Sequence, residues 1–338
     1  MNIVHELNQL DYGGAERIVR NIIKYDDQNK HSVLAYKDGA FRKELEAVGA
    51  QVIIPEENKE VEFDADIIHI HSGGGISNIA LNLGKNFTVI ETIHSPVRSA
   101  MAAEFIKRRV GVTQTVTDMN ENCETILNGI DLDDVVITKE KELVRKELGI
   151  SEDAIVIGRL GRLGKDKGLE DWLLTCYGLQ KQGFDFVPVI VGGEASGLNG
   201  TYLGKLKLMA ASLPVKNVVW VGHTTDIHTY LQIMDIFLYP SPTEGFGLVF
   251  MEALMNQCTV VTYETKVTKE LLAGYAILTK QSIEDLISGT KKAFNVNYRD
   301  AYAGIGADLV RSEYSAKRMS FQYQELYERC NRDFNGQN

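Results

Sequence analysis

The sequence predicts an α/β chain of two similar halves, each a parallel sheet covered by helices. Three observations carry this. Short apolar β-like runs alternate with helical patterns along most of the length. Glycine turns stand where predicted strands pass into predicted helices, the opening of a βαβ unit. The alternation breaks near residues 128–150 in a poorly periodic, mixed-charge stretch and restarts at Ala154. The expected division is 1–150 with the linker at about 128–150, then 151–314, then a closing helix over 315–338.

Composition bounds the class. At 338 residues the chain is long enough for two domains of ordinary size. A hydrophobic share of 44% with 24% charged residues describes a globular chain. The net charge of −10 argues against a general nucleic-acid binder. Cys123, Cys176, Cys258 and Cys330 are far apart, in no metal or redox spacing, and read as reduced, mostly buried thiols of a cytoplasmic protein. No apolar run approaches the roughly 18 residues of a membrane span. The run from Met1 to Leu7 lacks the basic start and long apolar core of a signal peptide and reads as the first strand.

Gly13-Gly14 follows that strand and leads into a helix with Ala15, Ile18, Val19, Ile22 and Ile23 on one side. A tight turn alone or close approach of a ligand to the backbone both account for the two glycines. The full G-x-G-x-x-G fingerprint is absent, so a dinucleotide cofactor is not supported. Strands are expected over 31–36, 51–54, 66–71, 87–93 and 111–116, and helices over 40–48, 76–83 and 100–109. His69 and His71 share one face of a strand. Without a patterned third ligand they read as hydrogen-bonded, partly buried imidazoles rather than a metal site. His94 ends a strand and is followed by Ser95-Pro96, which places it on a loop where function is more common. Asp64-Ala65-Asp66 precedes an apolar strand and reads as a solvated loop end, not a metal-binding pair.

Arg98 opens a segment that ends in Lys107-Arg108-Arg109. One reading is a solvated helix end, where cations suit the dipole. The sharper one is a contact with anionic lipid head groups on the inner face of the membrane, or with a phosphorylated acceptor. Both stay open.

In the second half, a strand from Ala154 to Gly161 runs into Arg162-Leu163-Gly164-Lys165-Asp166-Lys167-Gly168, and a helix is expected over 169–181. Arg162 offers a planar fork and Lys167 a compact charge, a pair suited to a diphosphate. Strands follow over 187–193 and 217–222, with His223 at the end of the latter as a candidate lining residue for a nucleobase. The apolar run 236–239 is stopped by Pro240 and Pro242, and the loop Thr243-Glu244-Gly245-Phe246-Gly247 opens into a helix beginning Leu248. A glycine turn at a helix N-terminus exposes backbone donors to an anion. Glu244 in the loop and Glu252 in the helix are carboxylates suited to hydroxyls. Phosphate donors beside carboxylates suit a sugar nucleotide.

These residues carry a resemblance. Gly161-Arg162-Leu163 with Lys167-Gly168, Pro240-Ser241, and Glu244-Gly245-Phe246-Gly247 with Glu252 resemble the retaining glycosyltransferase family 4, marked by its E-x7-E motif. Gly13-Gly14-Ala15-Glu16, the run from Asp66 to His71, Thr92-Ile93-His94 and Asn128-Gly129-Ile130-Asp131 agree in order, so the resemblance covers nearly the whole chain. It implies the GT-B fold: two Rossmann-like domains facing across a cleft, with a C-terminal helix returning to the first. It implies Arg162 and Lys167 on the donor diphosphate and Glu244 on sugar hydroxyls. The N–H groups of Phe246, Gly247 and Leu248 would meet sugar or phosphate, and Glu252 the ribose. His94 would reach the sugar, and Gly13 and Gly14 would close over the donor beside Gly161. Retention of configuration and no metal or other cofactor are also implied, with cations stabilising the leaving group. The expected reaction moves a hexose or N-acetylhexosamine, from UDP more than GDP, to a glycan or lipid-linked acceptor in polysaccharide or glycoconjugate synthesis. The chain departs from the family at Ser95 and over 263–270, where paired glycines are usual.

Two alternatives stand beside it. A sugar-nucleotide 2-epimerase of the same fold would isomerise the donor without acceptor. A non-catalytic sugar-nucleotide-binding partner would bind without turnover.

Overall fold

The computed structural model describes residues 1–55, 64–72, 87–194 and 200–335. The chain divides into two compact units, Met1–Leu132 with Glu313–Asn338, and Asp133–Ser312. Residues 133–150, read from the sequence as linker, therefore belong to the second unit.

The first unit is built on seven parallel strands: β1 Asn2–Leu7, β2 Lys30–Ala35, β3 Gln51–Ile53, β4 Ile67–Ser72, β5 Thr88–Ile93, β6 Arg108–Gly111 and β7 Cys123–Thr125. Their order is β3-β2-β1-β4-β5-β6-β7. Parallel strands are covered on both faces, so they read as nearly unbroken apolar runs. Ile3, Val4, Leu7, Val33, Leu34, Ile67, Ile68, Val89 and Ile90 are accordingly buried. The chain runs outward from β1 through β2 to β3, then crosses to the other side of β1, which makes a switch point between β1 and β4. The helix Gly14–Lys24 follows β1 and buries Ile18, Val19, Ile22 and Ile23. The helix expected over 40–48 is observed as Arg42–Ala47. The one expected over 76–83 lies outside the described residues.

Two expectations fail after β5. No helix runs over 100–109. A single turn of 3-10 helix, Ala103–Phe105, leads into β6. Met101 and Ile106 instead pack on Ile68, Ile70 and Val89. The strand expected over 111–116 begins earlier, at Arg108, because Glu91 and Arg109 are register partners across β5 and β6. Thr113 then starts a short helix, Gln114–Thr117, its Oγ1 accepting the Val116 N–H at 3.3 Å.

The last helix, Ala316–Asn335, belongs to the first unit. Ser315 Oγ accepts the Arg318 N–H at 3.4 Å. Tyr323, Leu326 and Tyr327 are fully buried, whereas Phe321 is 59% exposed. Buried Ala316, Met319, Ser320, Tyr323, Leu326, Tyr327 and Cys330 follow helical spacing, and Phe321 falls outside that stripe.

The second unit has six parallel strands: β8 Val156–Leu160, β9 Val187–Val191, β10 Val219–Gly222, β11 Ile236–Leu238, β12 Thr259–Tyr263 and β13 Ile277–Thr279. The order β10-β9-β8-β11-β12-β13 puts its switch point between β8 and β11. The helix Leu169–Lys181 buries Leu169, Trp172, Leu173, Cys176 and Leu179 against Ile157, Ile190 and Ile236. Among the described residues no helix is long and apolar enough to cross a membrane.

Candidate functional site

In the second unit, the turn after β8 and the loop after β11 leave the carboxyl ends of neighbouring strands at the switch point. They meet through charge. Lys167 Nζ lies 2.9 Å from Glu244 Oε1, with side-chain exposures of 18% and 11%. Burial works against the Lys167 ammonium, but Glu244, Tyr239 and Asp166 outweigh it and hold its pKa above the ordinary lysine value. The Lys167 ammonium is thus kept charged before any ligand arrives.

Arg162 takes a different partner. Its guanidinium grips both oxygens of Asp166 at 2.8 and 3.0 Å, and Asp166 also lies 3.5 Å from Lys167. Arg162 and Asp166 are nearly half exposed, and such pairs are worth about 0.2–1 kcal/mol. An incoming anion can therefore take Arg162 over at small cost. Asp166, which no motif singled out, aligns the two cations. Burial works against its charge, but Lys167 and Arg162 outweigh that and lower its carboxyl below the usual range.

The frame is made rigid from inside by Arg159, a fully buried residue of β8 that sequence reasoning missed. Its two terminal nitrogens donate to the carbonyls of Gly161 and Arg162 at 2.9 and 3.0 Å, and its guanidinium lies over the Tyr239 ring at 5.2 Å. An arginine inside an otherwise apolar strand was the available signal. Gly161 N–H in turn donates to Val191 O at 3.0 Å. Ser241 Oγ donates to the carbonyls of Thr243 and Asp166, at 3.0 and 3.3 Å, tying the proline loop to the turn. Gly168 has left-handed φ of +64°, and a Cβ there would stand 1.9 Å from Pro240 O. Only glycine permits that approach.

Gly247, with φ of +79°, ends the loop as N-cap of the helix Leu248–Met255 and supplies no side chain to cap it. The first amides of that helix, beginning at Leu248, are donors of the kind that suit an anion. Phe246 is buried at the loop's base and Glu252 is buried in the helix. His223 is exposed after β10 and packs beside Gly193. Over 263–270, Thr265 and Thr268 form a capping box for the helix Lys266–Leu272.

On the first unit, Gly13 is the N-cap of the helix Gly14–Lys24, again without a side-chain cap. The Glu16 carboxylate folds back beside it, and burial raises that carboxyl to about 7. Asp64 and Asp66 behave as a loop end, accepting the Asn2 side-chain amide and backbone N–H at 2.8 Å each.

His94, at the end of β5, is half-buried, and burial lowers its pKa to about 4. It belongs to a row of imidazoles. His71 Nδ1 lies 3.1 Å from His94 Nε2, His5 Nδ1 lies 3.0 Å from His71 Nε2, and His31 Nδ1 lies 3.0 Å from His5 Nε2. His69 pairs with Tyr327 Oη and Thr92 Oγ1, each at 2.7 Å. Ligand nitrogens of His5, His69 and His71 lie within 4.8 Å of one another. Both nitrogens of His69 are already engaged, however, which favours the hydrogen-bonded arrangement over a metal. His69 and His71 are buried outright, not partly. Burial first, and neighbouring histidines second, push His5, His69 and His71 well below the ordinary imidazole range.

The basic group after Arg98 is corrected. Arg109 is no surface residue: it is 5% exposed, its Nε donates to Glu91 at 3.1 Å and its terminal nitrogen to Met101 O at 2.6 Å. Arg98 is exposed, and Lys107 and Arg108 are half-buried at the start of β6, not at a helix end.

Residues 140–301 match the family model described as Glycosyl transferases group 1. The lipopolysaccharide core biosynthesis mannosyltransferase LpsB of Rhizobium meliloti is 26% identical over 192 residues, covering 55% of this chain and 54% of LpsB. This chain therefore spans about half the length of that relative in the match. The putative glycosyltransferase EpsF of Bacillus subtilis is 22% identical over 335 residues, 85% of each chain. Among solved structures, HepE of Anabaena in complex with UDP and glucose superposes with a TM-score of 0.83 at 19% identity, over 97% of this chain and 99% of HepE. The two parallel-sheet units, this likeness and the match over residues 140–301 support the glycosyltransferase superfamily, with the GT-B fold, for this chain.

Proposed function

We propose that the chain is a retaining, metal-independent glycosyltransferase. It moves a hexose or N-acetylhexosamine from a nucleotide donor, UDP rather than GDP, to a glycan or lipid-linked acceptor in cell-surface polysaccharide or glycoconjugate synthesis. The observation that carries this reading is the 2.9 Å pairing of Lys167 with Glu244 between two loops at a sheet switch point. A phosphate binder and a hydroxyl binder are thereby held side by side. The names of LpsB and EpsF support sugar transfer, and the HepE complex supports UDP.

In this reading Lys167 and Arg162 take the donor diphosphate, the first amides of the helix Leu248–Met255 add backbone donors, and Glu244 accepts from sugar hydroxyls. The C1–O bond to the phosphate breaks and its electron pair leaves with the diphosphate. The acceptor oxygen bonds to C1 from the same face, and its proton passes to the departing phosphate oxygen. Fixed cations aimed at the leaving group are the main source of acceleration. Glu252 meets the ribose and His94 a sugar hydroxyl. Any contact with an anionic membrane face rests on Arg98, Lys107 and Arg108, without Arg109.

A panel of UDP- and GDP-sugars with acceptor extracts tests this by nucleotide release. Lys167→Ala and Glu244→Ala should each lower release on the order of 100-fold or more. Full activity in both variants would sink the assignment.

A further inference from the structure

Five of the seven histidines gather on one face of the first sheet. Four of them come one from each neighbouring strand: His31 from β2, His5 from β1, His71 from β4 and His94 from the end of β5. Every link in this row has the same polarity. Each Nε2 faces the Nδ1 of the next ring in the direction of β2, from His94 to His71 to His5 to His31. The row ends at a carboxylate, where His31 Nε2 lies 3.1 Å from Asp26 Oδ2. His31 Nε2 is buried and makes no hydrogen bond by strict geometry, so the carboxylate oxygen meets it as a 3.1 Å ion-pair contact.

Asp26 is held in its charged form. It accepts the backbone N–H groups of Gln28 and Asn29 at 3.0 and 3.2 Å and the Asn29 side-chain amide at 2.8 Å. Burial alone would raise its carboxyl, but His31 and Asn29 outweigh that and lower it. An ionised carboxylate only accepts, so His31 must carry its proton on Nε2. In its neutral form a histidine has one donor and one acceptor, so a neutral His31 facing the carboxylate through Nε2–H accepts at Nδ1 from His5 Nε2–H. The same constraint passes to His71 and to His94. Reversing any one ring would set two lone pairs or two N–H groups against each other inside the sheet.

We propose that Asp26, His31, His5 and His71 are positioning residues that lock His94 in its Nε2–H tautomer, so that Nδ1 is presented as a hydrogen-bond acceptor for a ligand hydroxyl. Nδ1 of His94 makes no hydrogen bond among the described residues. In the transferase reading a lone pair there takes a sugar O–H and repels a phosphate oxygen. That consequence rests on the transferase reading, whereas the tautomer itself does not.

The test is nitrogen NMR of the full chain labelled with 15N-histidine, without substrate, at pH 8, above the ordinary imidazole range. The His94 signals are identified by their loss in His94→Gln. Wild type should show His94 as one neutral form, with protonated Nε2 and unprotonated Nδ1. His5→Phe, which keeps a ring but interrupts the row, and Asp26→Ala, which removes its anchor, should each give a mixture of both neutral tautomers at His94. Circular dichroism and backbone amide spectra establish that a variant is folded, and either one alone decides. Nδ1–H at His94 in wild type, or an unchanged single tautomer in a folded variant, overturns the proposal. Failure of the nucleotide-release assay would overturn the transferase reading and leave the tautomer lock standing.

Discussion

A charged side chain inside a protein is committed to whatever satisfies it, and Arg109 is the clearest case. It ties the Glu91 carboxylate, the Met101 carbonyl and, at 3.3 Å, the Glu121 carbonyl. Glu91 is itself fully buried and also accepts from Ser99 Oγ. Removing one partner of such a pair leaves the other charge stranded, at about 3–5 kcal/mol. Arg109→Ala should therefore lower unfolding stability by that amount in urea titration. Arg98→Ala, at an exposed position, should stay within about 0.5 kcal/mol, as surface changes do. Equal stability of the two variants would show that Arg109 is not the anchor described. Arg159 makes a related commitment beneath the turn after β8. In both cases the residue type was visible in the sequence, while its partner lay on a strand or loop far along the chain.

At the scale of the element, the turn after β8 is where backbone conformation and function meet. Gly168 closes that turn in a left-handed conformation and lets Pro240 O come close. Adding a methyl there combines left-handed strain of about 1–2 kcal/mol with crowding of about 1–3 kcal/mol. Gly168→Ala should thus cost about 2–5 kcal/mol in denaturant unfolding, the two effects added together. On the proposed transferase function it should also weaken binding of UDP in calorimetric titration, because the turn and the proline loop must part. Wild-type stability and affinity together would show that the close approach is not required. The opposite lesson comes from residues 100–109, where local helical patterning lost to sheet pairing. β6 gains its ladder with β5, and the segment before it buries Met101 and Ile106, a larger gain than weak helix propensity can offer.

At the scale of the whole molecule, the buried imidazoles make the chain sensitive to acid. His5, His69 and His71 are held well below the ordinary range, and His94 is lowered to about 4, burial being the first cause in each. In the unfolded chain these rings titrate near 6.5. Below that pH the unfolded state binds more protons than the folded one, so stability is fully present above about 6.5 and falls as the pH is lowered. Each ring contributes a slope of about 1.4 kcal/mol per pH unit until its folded value is reached. Urea unfolding should be flat between pH 7.5 and 8.5 and should weaken steeply by pH 5. Equal stability at pH 5 and pH 8 would contradict the burial of uncharged rings.

Periodicity, glycine placement and the spacing of Arg162, Lys167, Glu244 and Glu252 were enough to determine two parallel α/β units and the elements that carry the second-unit site. Helix Leu169–Lys181 and the start of helix Leu248–Met255 were legible because local rules of capping, glycine turns and apolar spacing act over a few residues. Tertiary structure alone decided that Lys167 pairs with Glu244 while Arg162 turns to Asp166, that Arg159 braces the turn, and that Arg109 is buried. It also decided that histidines at positions 5, 31, 71 and 94 form one row ending at Asp26. The reason is common to all of these. Sequence periodicity says which face of a strand a side chain occupies, but strand order and register decide which side chains meet across it.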